Sequence, residues 1–431
     1  MHKGRSPDWG ALVDLERSAV SPRVFVDPAL CELEQERIFG HCWLFVGCES
    51  QIPAPGDFIT NSMGEERVIV TRDAEGAINV LVNSCRHRAS RVCRIDYGNT
   101  RSFTCPYHGW TYDLAGKLVG VPRYKEAYGE DFDRAEWGLL EVPKVETYRN
   151  LIFANFDPQA ESLSSYLGDA KWYLDIVFNR TEGGPVALPG VHRWTVRGNW
   201  KVNSEQQSGD NYHTDYLHRS ILESGYLDVA IFRGAEPWVR DLEVKCGNGH
   251  GFMILGIGYT SNYPAEVIAH EKAVREKAAA RLAPEQAALV NDGLTYVANI
   301  FPNLSIIVSM GFASVRANHP RGPTEHEIWS LTMVDKEASQ GVRDFARDQQ
   351  NRTFSPSGIF EQDDGEMWMD ATQAMRGFYR RRFPLHYGMG AGRGRKLLNR
   401  PGLVHPPNTE IGVFGFYERW RELMEREGEL E

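Results

Sequence analysis

Apolar and polar residues follow different periods in different parts of the chain. The first forty residues read as a helical lead-in: the charged, helix-prone stretch 32–36 runs into Ile38, Phe39 and Trp43. From about residue 42 to 157 short apolar runs lie between turn signals such as Pro53-Ala54-Pro55-Gly56-Asp57, Asp73-Ala74-Glu75-Gly76, Asp96-Tyr97-Gly98-Asn99 and Leu114-Ala115-Gly116-Lys117. The runs 67–71, 77–82 and 150–156 are rich in β-branched and aromatic residues. Strands at this spacing predict a small all-β domain, with its Cys and His residues in the loops. After about residue 161 the pattern is mixed. Helix is predicted over 162–178, over 203–220 around a polar cluster, and over 265–291 with a break at Pro284. Strands are predicted over 192–201, 304–317 and 325–334. The segment 413–427 is amphipathic, with Phe416, Trp420 and Met424 on one side. The second half therefore reads as an α+β domain on antiparallel strands. The divisions expected are 1–41, 42–160 and 161–431.

Composition narrows the function classes. The 431 residues are 42% hydrophobic and 25% charged, an ordinary globular balance. Lys and Arg number 48 against 58 Asp and Glu, a net charge of −10, so nucleic acid and anionic membranes are poor partners. No apolar stretch approaches membrane-spanning length and the N-terminus lacks a secretory apolar core, so a cytoplasmic location is expected. The seven cysteines, at 31, 42, 48, 85, 93, 105 and 246, are odd in number and do not suggest a disulfide framework. Cys31, Cys42, Cys48, Cys93 and Cys246 read as buried thiols.

Two constellations carry chemistry. In the first, Cys85-Arg86-His87 is followed after seventeen residues by Cys105-Pro106-Tyr107-His108-Gly109-Trp110. Each loop offers one thiolate and one imidazole. Four such ligands suit a tetrahedral zinc, or a two-iron, two-sulfide cluster with both Cys on one iron and both His on the other. In the second, Asp210, His213 and His218 lie within nine residues. Asp210 and His213 share a helix face, but residues five apart sit roughly 140° apart on a regular helix, so the histidines bind one ion only if the helix breaks between them. Two histidines and a carboxylate with open positions form the facial triad of non-haem iron oxygenases. The acidic run Phe360-Glu361-Gln362-Asp363-Asp364-Gly365-Glu366 is the candidate source of the carboxylate.

Cys85-x-His87-x17-Cys105-x2-His108, with Arg88, Tyr107, Gly109 and Trp110, resembles the Rieske domain of the aromatic-ring-hydroxylating oxygenases. Gly209-Asp210-x2-His213-x4-His218 and the run ending in Asp363-Asp364 resemble the catalytic domain of the same family, and the stretch 309–323 is similar to large subunits of the biphenyl and toluene type. The resemblance implies a Rieske [2Fe-2S] cluster on Cys85, His87, Cys105 and His108, and a mononuclear Fe(II) on His213, His218 and Asp364. It implies that Asp210 bridges the two kinds of centre, across a subunit boundary. It also implies a helix-grip catalytic domain and a large (alpha) subunit in a homotrimer, as α3 or with a beta subunit as α3β3.

The reaction implied is insertion of both atoms of O2 into an aromatic ring to give a cis-dihydrodiol. Electrons would come from NAD(P)H through a separate reductase or ferredoxin. No Gly-rich nicotinamide or flavin fingerprint opens a βαβ unit here, which agrees with an external donor. By position, Gln206, Gln207, Asn211, Thr214, Phe312, Phe354 and Phe360 are substrate-pocket candidates. Gln207 stands where many hydrocarbon oxygenases of this kind carry an aromatic residue, which favours a polycyclic or substituted aromatic. The alternatives are a Rieske monooxygenase (an aromatic hydroxylase or O-demethylase), a non-catalytic Rieske electron-transfer protein, and a zinc-stabilised module.

Overall fold

A computed structural model describes residues 7–128, 132–224, 241–255, 263–290, 295–309 and 311–426. The chain forms two compact units, residues 39–163 and residues 1–38 with 164–431.

The described residues of the smaller unit form three antiparallel sheets. One orders Ile78–Val82, Glu66–Arg72, Asp57–Met63 and Tyr97–Asn99. A second orders Lys144–Tyr148, Leu151–Asn155 and Leu44–Cys48. The third is the short set Leu118–Gly120, Thr111–Tyr112 and Phe103–Thr104. The expected all-β character holds. One core layer joins Phe58, Ile69, Leu81, Trp110 and Tyr112 to the thiols of Cys85, Cys93 and Cys105.

The larger unit carries one long antiparallel sheet. His326–Asp335 pairs with both Pro185–Ala187 and His192–Val196 on one side and with Phe312–Pro320 on the other. The order continues through Leu304–Ser309, Thr295–Ile300, Gly251–Leu255, Leu242–Lys245, Arg400–His405 and Arg395–Leu397. Helices Gln340–Thr353, Ile359–Met375 and Ile411–Glu425 accompany it. Phe416, Trp420 and Met424 are fully buried, as their spacing predicts.

Several boundaries differ from the sequence reading. The strand expected over 192–201 stops at Val196, because Asn199 caps a new helix, Trp200–Gln206: its side chain accepts from the Lys201 N–H. The helix expected over 162–178 is two pieces, Leu163–Leu167 and Ala170–Phe178, broken at Gly168. The strand expected over 304–317 is two antiparallel strands in register with each other. The long helix does break at Pro284, into Ala265–Arg281 and Pro284–Val290, and Asn291 lies outside the described residues.

Within the larger unit a buried ion pair anchors the lead-in helix. Glu34, at the end of helix Pro28–Glu34, accepts from Lys201 Nζ at 2.6 Å, Trp200 Nε1 at 2.9 Å and Trp420 Nε1 at 2.6 Å. Three donors for one desolvated carboxylate make this burial tolerable.

Two buried histidines are held neutral. His250 accepts the Phe301 N–H on Nδ1 and faces the Tyr166 carbonyl with Nε2, a pairing that only the neutral ring satisfies. His326 faces the Gly198 carbonyl. Burial lowers both to about 4. The unfolded chain then binds protons that the folded chain does not between about pH 6.5 and 4. Urea midpoints should fall by a few kcal/mol equivalent over that window, and substituting both histidines with Gln should flatten the fall.

Candidate active site

In the smaller unit the loop Cys85–Ser90 turns back so that the Ala89 N–H reaches the Cys85 carbonyl, with Ala89 in the left-handed region. The second loop closes similarly, with the Cys105 N–H on the Trp110 carbonyl and the Gly109 N–H on the Cys105 carbonyl. Both thiols are buried, and Cys85 Sγ lies 3.2 Å from Tyr112 Oη, which also accepts the Arg86 N–H. The His87 and His108 rings lie 4.4 Å apart, and His87 stacks on Trp110 at 5.1 Å. The thiols are therefore inside and the His108 ring is at the surface.

The second site is in the larger unit. Helix Trp200–Gln206 ends at Gln207, and Gly209 continues at φ +127°, a conformation that favours glycine. The Asp210 carboxylate then accepts the His213 N–H at 3.3 Å. His213 precedes the single turn Thr214–Leu217, and His218 separates it from Arg219–Glu223. The helix expected over 203–220 is thus broken, as the five-residue spacing of the histidines requires.

The third residue comes from helix Ile359–Met375. Glu361, Asp364, Trp368, Thr372 and Met375 recur at three- and four-residue steps and form its buried stripe. Asp364 therefore points inward. Its Oδ1 lies 3.5 Å from His213 Nε2 and 3.3 Å from His218 Nε2. One ligand atom from each of the three residues lies within 4.8 Å of the others, and this is the one such group of three or more among the described residues. Cys85, His87, Cys105 and His108 do not form such a group.

Carboxylates face the outer nitrogens of both rings. Asp210 Oδ2 is 3.3 Å from His213 Nδ1, and Asp363 Oδ2 is 3.2 Å from His218 Nδ1. Such partners fix the ring orientation and leave Nε2 for a metal. Burial works against a charged His213, but Asp210 and Asp364 outweigh it and raise its pKa. Burial likewise opposes the Asp364 charge, yet His218 and His213 hold its pKa below the usual carboxylate value.

Among the pocket candidates, Gln206 donates to Asp364 Oδ1 at 2.9 Å and accepts from Trp368 Nε1, so its amide steers the ligand carboxylate. An aromatic series starts at His218: Phe360 meets it edge-on at 4.8 Å, Phe354 stacks on Phe360 at 5.2 Å, and Phe312 lies 6.1 Å from Phe354. Gln207 is buried. Asn211 instead gives its amide to Asn408 Oδ1, and Thr214 starts the short helix between the histidines.

The sequence reading missed three features. Asp363 is masked by its neighbouring carboxylates, and Trp368 by an indole that reads as ordinary core. The third is a buried ion pair, Arg316–Glu361, at 2.7 Å.

Comparison with known proteins follows this geometry. Residues 163–426 match the ring hydroxylating alpha subunit (catalytic domain) family, and residues 42–148 match the Rieske [2Fe-2S] domain. Biphenyl 2,3-dioxygenase subunit alpha of Rhodococcus jostii is 40% identical over 98% of this chain and 93% of its own length. N,N-dimethyl phenylurea N-demethylase subunit alpha of a Sphingobium species is 32% identical, over 96% and 92%. The solved structure of naphthalene 1,2-dioxygenase from a Rhodococcus species, bound to indole, superposes with a TM-score of 0.85 at 38% identity, over 94% of each chain.

Proposed function

The chain belongs to the ring-hydroxylating oxygenase alpha subunits, an oxidoreductase family whose members carry a Rieske [2Fe-2S] cluster and a mononuclear iron, and on that premise we propose that it dihydroxylates a polycyclic or substituted aromatic to a cis-dihydrodiol. The observation that carries the reading is the convergence of His213, His218 and Asp364 beside an aromatic wall. Cys85, His87, Cys105 and His108 would hold the cluster, with buried thiols and outward imidazoles. His213, His218 and Asp364 would hold the iron. When bound, the cluster passes on single electrons and the iron activates dioxygen.

The protein's own groups supply the rest. Gln206 keeps Asp364 oriented, while Asp210 and Asp363 keep the two imidazoles aimed inward. Phe360, Phe354 and Phe312 give a flat substrate apolar contact and exclude water. As a terminal oxygenase component the chain needs an electron-transfer partner. We assign that partner to a ferredoxin, a reductase or both, drawing on NAD(P)H, and the assembly to a trimer of large subunits, α3 or α3β3.

Asp210 would join His213 to the Rieske histidine of a neighbouring copy, because one carboxylate accepts from two imidazole N–H groups. Asp210→Ala should then lose product formation even when excess iron, offsetting the loss of His213's outer partner, has loaded both centres. Iron analysis with stopped-flow reoxidation of the cluster reads this: normal reoxidation in the variant would remove the bridge. The relation to a demethylase subunit keeps a monooxygenase reading as the second outcome of product analysis under labelled oxygen.

A further inference from the structure

Three amides at the end of helix Trp200–Gln206 are buried with unpartnered atoms: Asn203 Oδ1, Gln207 Oε1, and both polar atoms of Asn299. Asn203 and Gln207 are four residues apart, so they share a face of the helix and its end. That face looks onto the sheet: Asn203 Nδ2 donates to Asn318 Oδ1 at 3.1 Å, and Asn318 Nδ2 donates to Ser305 Oγ at 3.0 Å. Ser305 pairs directly with Asn299, which pairs in turn with Gly251. Directly paired residues of an antiparallel sheet lie on one face, so Asn299 also lies on the helix-covered side. Gly251 marks where the helix end rests, since a Cβ there would come within 2.2 Å of the Ser208 carbonyl oxygen.

Gln207 is 4% exposed and its Oε1 has no hydrogen-bond partner. Asn299 is 0% exposed, and neither its Oδ1 nor its Nδ2 has one. A buried polar atom left unpaired costs about 1–3 kcal/mol. Two such amides beside one helix end, one residue from the Gln206 that holds Asp364, are unfavourable for folding alone.

We propose that Gln207 and Asn299 form a polar subsite of the substrate pocket, which takes a neutral hydrogen-donating group of an aromatic substrate: a hydroxyl, an amino group or a ring N–H. This deepens the aromatic-substrate reading above and rests on it. Gln207 Oε1 and Asn299 Oδ1 call for a donor and Asn299 Nδ2 for an acceptor; a hydroxyl or amino group supplies both, a ring N–H the first, and a bare hydrocarbon neither. A carboxylate substituent would bring more acceptors and no proton. Arg316, paired with Ser305 across the sheet, serves Glu361 and the Phe354 carbonyl through Nη2 and leaves Nε and Nη1 without a partner, but its charge is already met by Glu361.

Indole and indene test this, because they differ chiefly by N–H against CH2. The assembled, iron-loaded oxygenase is titrated calorimetrically with each. A site built to bond a donor rejects the analogue lacking it, so indole should bind at least about tenfold more tightly. In the Gln207→Leu/Asn299→Leu double variant the ratio should fall to within about twofold of unity. Gln207→Leu alone should leave Tm unchanged or raise it, since it removes a buried unsatisfied atom.

Equal affinities in the parent protein, or a ratio that survives the double substitution, overturn the subsite. So does a Tm lowered by Gln207→Leu, which would show the amide serving the fold. If neither bicycle binds, the aromatic-substrate reading itself fails and the subsite falls with it. If both bind equally and are hydroxylated, only the subsite falls.

Discussion

Asp364→Ala should empty the mononuclear site and end product formation, while the visible spectrum of the Rieske cluster stays unchanged. Asp364 Oδ1 is the one oxygen shared by both histidines, at 3.5 and 3.3 Å. Losing even an outer partner of a metal ligand typically costs about 10- to 100-fold in affinity, so losing the ligand itself costs at least that. The variant should still fold, because the substitution removes a desolvated carboxylate rather than an apolar contact. Asp363→Ala is the graded companion. It frees His218 Nδ1 without removing a ligand, and should weaken iron binding about 10- to 100-fold. Metal analysis beside cluster absorbance separates the two centres: iron retained in full by Asp364→Ala would remove Asp364 from the ligand set.

The second large effect is on stability. Arg316 and Glu361 are 0% and 3% exposed at their side chains and 2.7 Å apart. Arg316 also donates to the carbonyl of Phe354, the residue that ends helix Gln340–Thr353. The pair thus ties the sheet to the first turn of the helix that carries Asp364, and fixes Phe354 beside Phe360. Arg316→Met strands a buried carboxyl and should destabilise by about 3–5 kcal/mol at pH 8. Replacing both, as Arg316→Met/Glu361→Leu, should recover most of that loss, because a well-packed apolar pair avoids desolvating two charges.

The pH dependence has a definite sign. Burial raises Glu361 to about 7, with Arg316 opposing the rise. A raised acid contributes stability that is complete below the unfolded value and is lost as pH rises through about 7. Without Arg316 the folded form holds the proton more tightly still. The deficit of Arg316→Met should therefore be smaller at pH 5 than at pH 8. A deficit below about 1 kcal/mol at pH 8, or one independent of pH, would contradict the pair's role.

The sequence disclosed the site wherever its chemistry is concentrated in a short span. Cys85, His87, Cys105 and His108 belong to two tight loops, and the five-residue step from His213 to His218 already demanded a helix break. The break appears at His218, which ends the turn Thr214–Leu217 and precedes Arg219–Glu223. Asp364 was legible only because a family pattern chose among adjacent carboxylates; no periodicity separates it from Asp363, which the fold gives to the other nitrogen of His218. Arg316–Glu361 and the Asn299–Ser305 row arise from strand register and helix packing, which no local pattern encodes. Strand boundaries failed for related reasons. Gly251–Leu255 is a five-residue apolar run beside a short turn, and Arg400–His405 contains Pro401 and Gly402, residues that weaken any strand signal.

The central claim is dioxygenation of an aromatic ring, and isotope labelling tests it most directly. The oxygenase is reduced anaerobically, mixed with a panel of polycyclic and substituted aromatics, and exposed to 18O2, and the products are read by mass spectrometry. A cis-diol carrying two labelled oxygens is the predicted result. A product with one labelled oxygen, or a substrate that has lost a methyl group, would contradict it and make the chain a monooxygenase on the same scaffold.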